Sequence, residues 1–167
     1  MRMKTVRRSL AMIALAGATL APVASAYAQM APPMVKAHIY EDNANPHKDL
    51  AAAVATARRE HKRVLVDFGG NWCGDCQVLD IYFHQQPNRE ILEKNYIVVH
   101  VSVGPMGIEK NLDVPTGLGI NIKKGVPALA VLDGRGKVVY SQATGEFENM
   151  RNMNANSVTD FLNKWKV

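Results

Sequence analysis

Only two cysteines occur in the 167 residues, and they stand three positions apart in Trp72-Cys73-Gly74-Asp75-Cys76. A bridge over two intervening residues closes so small a loop that it removes little entropy from the unfolded chain, which makes it a poor structural staple. Ahead of the pair, Val64-Leu65-Val66-Asp67-Phe68 is a short apolar run of strand type, broken by Gly69, Gly70 and Asn71. A helix is then expected from about Cys73 to His84, stopping near Pro87. Residues three apart on a helix are neighbours, so the two sulfurs can meet. Cys73 falls at the helix N-terminus, where unpaired N–H groups and the macrodipole favour a thiolate. This predicts Cys73 as the attacking nucleophile and Cys76, one turn further in, as the thiol that resolves a mixed disulfide.

Other uses of the spacing fit less well. There is no second cysteine pair to complete a zinc site. His84 is about three turns, roughly 16 Å, along the same helix and cannot share a metal with Cys73. His100 lies on a different expected strand and stays open as a ligand. A c-type haem site needs histidine directly after Cys76, where Gln77 stands. Redox chemistry without a cofactor or resident metal is therefore the reading, and a copper-binding or metallochaperone module using Cys73, Cys76 and His100 or methionines is the alternative.

The N-terminal residues set the expected compartment. Arg2, Lys4, Arg7 and Arg8 precede an uncharged apolar run from Leu10 to Val23, and Ala26-Tyr27-Ala28 supplies a small-x-small pattern. Residues 1–28 are read as a cleaved signal peptide, with cleavage before Gln29 or, alternatively, after Ala24-Ser25-Ala26. The run is shorter than the roughly 20 residues of a membrane span, so no stable membrane insertion is expected after cleavage, and the location is periplasmic. Four of the 20 basic residues and none of the 15 acidic ones lie before Gln29. The remaining charge is nearly balanced and gives no support for a nucleic-acid partner.

Residues 29–46, with Pro32, Pro33 and Pro46, read as leader or linker, and 47–167 as one domain. Helices are expected over Asp49 to His61 and Arg89 to Asn95, and a buried central strand over Ile97 to Val103. A hairpin is expected over Ala128 to Leu132 and Lys137 to Ser141, turning at Asp133-Gly134-Arg135-Gly136. A last helix, Ser157 to Lys166, carries a Ser157/Asp160 capping box and the apolar stripe Val158, Phe161, Leu162 and Trp165. The order implies an α/β fold, a central mixed sheet flanked by helices. The glycine-rich connection from Gly104 to Val126 is too long for an idle turn.

Three landmarks together, Val64 to Phe68, Trp72-Cys73-Gly74-Asp75-Cys76 and Gly125-Val126-Pro127-Ala128, resemble the thioredoxin superfamily, and in particular its exported bacterial members. The resemblance covers about residues 48–166. It implies a thioredoxin-like fold and thiol–disulfide oxidoreductase activity on protein or small-molecule thiol or disulfide substrates. It makes Pro127 the cis-proline facing the cysteines, frees the Val126 backbone to pair with an extended substrate, and places Trp72 at the substrate-facing surface. It assigns Asp67 as the buried acid that accepts a proton from Cys76, a role that also explains a carboxylate inside an apolar strand. His100 falls near a position where thioredoxins often carry a lysine that interacts with the buried acid; a packed strand histidine is the preferred reading and a role in proton transfer the alternative.

Asp75 departs from the proline common between thioredoxin cysteines. Its charge disfavours a thiolate at Cys73, which stabilises the disulfide and points toward the reducing end of the superfamily. The expected activity is protein disulfide reduction fed by a membrane thiol donor, because an exported reductant needs electrons from inside the cell. A disulfide-forming oxidant or isomerase with the same cysteines is the alternative.

Overall fold

The structure, a computed structural model, describes residues 37–106 and 109–167. The expected signal peptide lies outside the described residues. Helix α1 (Pro46–Glu60) starts three residues earlier than its alanine pattern suggests, because Asn45 accepts a hydrogen bond from Lys48 N–H at 3.1 Å and Pro46 is preset for the first turn. Strand β1 (Arg63–Gly69) follows, then α2 (Gly74–His84), α3 (Asn88–Asn95) and β2 (Tyr96–Ser102). The long connection holds a short helix α4 (Asp113–Gly117) and a 3-10 turn at Ile122–Lys124. The hairpin of β3 (Ala128–Leu132) and β4 (Val138–Ser141) precedes a 3-10 turn at Met150–Asn152 and the final helix α5 (Ala155–Trp165). No helix among the described residues is long and apolar enough to cross a membrane.

The sheet is mixed, in the order β2-β1-β3-β4, with β1 parallel to β2 and antiparallel to β3. Alternation along β1 divides the core. Val64, Val66 and Phe68 pack with Ala53 and Ala57 of α1. Leu65 points the other way, into Val78, Leu79, Tyr82, Phe161 and Leu162 of α2 and α5. Asp67 and Gly69, two and four residues after Leu65, therefore face α2 and its cysteines.

Three expectations change. The valine-rich strand is an edge strand, not a central one; its apolar side chains are covered by α1 and α3 on its two faces, and one-sequence patterning reads that as a central position. Helix α5 is capped by Asn154, whose side chain accepts from Asn156 N–H at 2.8 Å, so Ser157 sits inside the first turn and no Ser157/Asp160 box forms. The third change concerns residues 37–45, which form a strap over the active-site turn rather than a linker.

Side chains hold the strap. Asn71 accepts from the N–H groups of Ile39 and Tyr40 at 2.8 and 3.0 Å and donates to the Tyr40 carbonyl at 2.7 Å. Gln77 brackets Ala37 in the same way, accepting from its N–H at 2.9 Å and donating to its carbonyl at 3.0 Å. Asp42 takes the hydroxyl of Ser102 at 2.5 Å. Tyr40 is thereby buried completely. Asn71→Ala removes three of these bonds and is expected to cost about 1–3 kcal/mol in urea unfolding, with faster hydrogen exchange at the Ile39 and Tyr40 amides. Unchanged exchange at those two amides would contradict the strap.

Candidate active site

The break after β1 puts Cys73 at the N-cap of α2, where its Sγ accepts from the Cys76 N–H at 3.1 Å. Cys73 and Cys76 are joined as a disulfide. Neither is freely exposed, but they differ: Cys73 is 6% exposed and Cys76 is fully buried. Cys73 Sγ also lies 3.5 Å from the Val126 carbonyl, a contact that becomes a hydrogen bond when the sulfur carries a proton. The Val126–Pro127 peptide is cis. Trp72 is 43% exposed beside the disulfide, with its indole N–H donating to the Gly104 carbonyl at 2.8 Å. Gly70 leaves room for that indole, since a Cβ there would lie 2.5 Å from Trp72 Nε1.

Asp67, on the face of β1 that turns toward α2, is 1% exposed. Its Oδ2 accepts from the Tyr40 hydroxyl at 2.8 Å and pairs with His100 Nδ1 at 2.9 Å, while Oδ1 has no hydrogen-bond partner among the described residues. The His100 contact follows from register, because Asp67 and His100 are direct partners across β1 and β2. Burial and the Asp67 charge push the Tyr40 phenol well above its ordinary value, so it stays a proton donor. For His100, burial opposes protonation, but the hydrogen bond and charge of Asp67, with Asp80 behind them, outweigh it and raise the imidazole. Among the described residues no three His, Cys, Asp or Glu side chains are grouped to hold a metal.

A thiol at a helix N-terminus, a buried partner one turn on and a carboxylate below them can carry out thiol–disulfide exchange. The Thioredoxin-like family matches residues 45–134. A solved structure, the disulphide isomerase from Xylella fastidiosa Temecula1, is 34% identical, covers 78% of this chain and 98% of its own, and superposes with a TM-score of 0.72. This chain belongs to the thioredoxin-like family. A thioredoxin from Buchnera aphidicola subsp. Schizaphis graminum is 38% identical over 77 residues, which are 46% of this chain and 62% of that protein.

The structure thus brings Cys73, Cys76, Asp67, Trp72, Val126 and Pro127 into one region and adds four side chains to it. Tyr40 and His100 join Asp67. Gln142, buried directly after β4, donates to the Pro127 carbonyl at 3.3 Å and accepts from Leu129 N–H at 3.1 Å, fixing the proline loop. Arg151 corrects the reading of Asp75. That carboxylate turns away from solvent and takes the Arg151 guanidinium at 3.0 to 3.2 Å and its backbone N–H at 2.9 Å, so its charge is balanced rather than acting freely on Cys73. No local pattern pairs residues so far apart; the one signal in the sequence is an acid placed where the family often has proline.

The raised His100 value has a sign. Its stabilising pairing with Asp67 is fully present below the ordinary histidine value of about 6.5 and is lost as pH rises through the higher folded value. The stability advantage of the native protein over His100→Gln, from urea midpoints, is expected to be larger at about pH 6 than at about pH 8.5. A difference independent of pH would remove the charged pair from the account.

Proposed function

We propose that this protein is an exported thiol–disulfide oxidoreductase that reduces protein or small-molecule disulfides from its Cys73/Cys76 dithiol and is recharged by a thiol donor at the membrane. The observation that carries it is the asymmetry of the pair: Cys73 caps α2 opposite the Val126–Pro127 loop, and Cys76 is buried behind it over Asp67. In the forward reaction the Cys73 thiolate attacks a substrate disulfide, one substrate sulfur leaves as a thiolate, and a mixed disulfide forms. Cys76, having lost its proton, then attacks Cys73 Sγ, closing the internal disulfide and releasing the second substrate thiol. Val126 and Trp72 supply the surface on which an extended substrate lies. Export rests on the basic, apolar and small-x-small succession of residues 1–28.

A disulfide isomerase is the second reading, favoured by the name of the Xylella relative. It uses the same first step but releases the substrate by rearrangement instead of by Cys76. The reduction potential bears on the choice. A buried carboxylate under Cys76 opposes negative charge on the sulfurs and favours the disulfide, so the couple is expected nearer thioredoxin's value of about −270 mV than the strong oxidant's of about −120 mV. Equilibration with glutathione, followed by tryptophan fluorescence, gives the number, and a value above about −150 mV would move the reading to disulfide formation.

Two further outcomes are expected. In the reduced protein Cys73 is alkylated before Cys76, and Cys76→Ser accumulates mixed disulfides through Cys73; preferential labelling of Cys76 would reverse the assignment. Arg151→Met leaves the Asp75 charge unbalanced and moves the Cys73 alkylation profile upward by up to about one pH unit. No movement would show that the Asp75 field does not reach the sulfur.

A further inference from the structure

Tyr40 has no counterpart in the cysteine chemistry described so far, and lies ahead of the family match at residues 45–134. It is nevertheless packed directly with Cys73 and Cys76 in one buried cluster. Gly69 shows how tightly. A Cβ on that glycine would lie 2.8 Å from Cys76 Sγ and would strike Tyr40 Oη as well, so sulfur and phenol oxygen crowd one point above the strand. The same hydroxyl donates to Asp67 Oδ2 at 2.8 Å. The phenol oxygen is therefore bonded to the buried carboxylate and crowded against the same point as the resolving sulfur.

We propose that Tyr40 is the proton relay from Cys76 to Asp67. The proposal rests on the exchange reading above. In the resolving step the Cys76 thiol gives its proton to Tyr40 Oη as the phenol passes its own to Asp67 Oδ2. The Cys76 thiolate attacks Cys73 Sγ, the Cys73–Cys76 bond forms, and the bond from Cys73 to the substrate sulfur breaks. That sulfur leaves with the electron pair and takes a proton from water. Asp67 now holds the proton lost by Cys76, Tyr40 is again a phenol, and the pair of electrons has gone to the substrate.

The geometry favours this route over direct transfer. Burial keeps the phenol protonated, so it relays without becoming a stable phenolate. The groups that act on it are Asp67 from β1, His100 from β2, whose ring meets the phenol edge-on at 5.6 Å between centroids, and Asp80 from α2. Of the Asp67 partners, only His100 reaches the surface: it is 27% exposed and lines an open groove with Asp80, His84, Arg89 and Glu93. Asp67 Oδ2 is thus held from two sides, by the Tyr40 hydroxyl and by the Nδ1 of that ring.

The test uses the reduced full-length protein and the aromatic disulfide 5,5′-dithiobis(2-nitrobenzoate), which releases one coloured thiolate when Cys73 attacks and a second when Cys76 resolves. Tyr40→Phe is expected to keep the first phase and slow the second at least about tenfold near neutral pH, with the gap closing as pH rises and water takes over the proton. A second phase within twofold of the native rate, or one slowed equally at every pH as a packing defect would produce, overturns the relay. In combination with Asp67→Asn the effect should be no larger than that of Asp67→Asn alone, whereas additive losses would place the two residues on separate paths. Fluorotyrosine at position 40 keeps ring and hydroxyl should phenylalanine not fold there, and must shift the pH profile of the second phase; an unmoved profile overturns the relay equally. If the native protein shows no second phase while Cys73 still reacts, the dithiol exchange reading falls first, and that outcome is distinct from a Tyr40 effect.

Discussion

A carboxylate in the middle of an apolar strand is expensive to bury, and the site is organised around meeting that cost. Asp67 is at 1% exposure, and among the described residues one of its oxygens receives both of its hydrogen-bond partners while the other receives none. Its position follows from β1 alone. Alternation that sends Val64, Val66 and Phe68 to α1 sends Leu65, Asp67 and Gly69 to α2, so the acid lies on the face toward the cysteines, and Gly69 leaves room there for Tyr40 and Cys76. Moving the strand by one residue would invert the arrangement and place the acid in the α1 core.

Each partner of Asp67 is brought by a different structural device. His100 arrives by strand register across the parallel pair β1–β2. Tyr40 arrives by a strap with no ladder of its own, held through the side chains of Asn71 and Gln77. Asn71 belongs to the break that ends β1, and Gln77 to the first turn and a half of α2. The residues around the helix end that carries Cys73 are thus also the ones that hold the strap beside Cys76.

How much of this the sequence discloses depends on the range of the interaction. The Cys73/Cys76 pair, the strand before it and Pro127 are local patterns whose physics is complete within a dozen residues, and they carry the α/β architecture with them. Tyr40 is isolated in a proline-containing stretch, and nothing nearby shows that a residue 31 positions later will clamp it. Gln142 and Arg151 are equally silent, since their roles depend on a turn or strand end folding back onto the proline loop and onto Asp75. Asn154 and Ser157 both suit a cap, and packing of Val158, Phe161 and Leu162 chooses between them. The edge position of β2 was hidden for a related reason: helices covering both faces make an outer strand as apolar as an inner one.

The electrostatics of the pair follow from where its two acids end up. Asp75 looked like the charge that would set the redox balance, but a guanidinium and a backbone N–H hold it, and a balanced charge acts weakly on a neighbouring sulfur. Asp67 has a phenol and an imidazole instead, one of which stays neutral while the other gains charge only as pH falls. Its field therefore depends on pH through His100. Negative charge is favoured at Cys73 by the helix end and opposed at Cys76 by the carboxylate. In the proposed exchange, that difference across one turn of helix assigns Cys73 to the substrate and Cys76 to the resolving step.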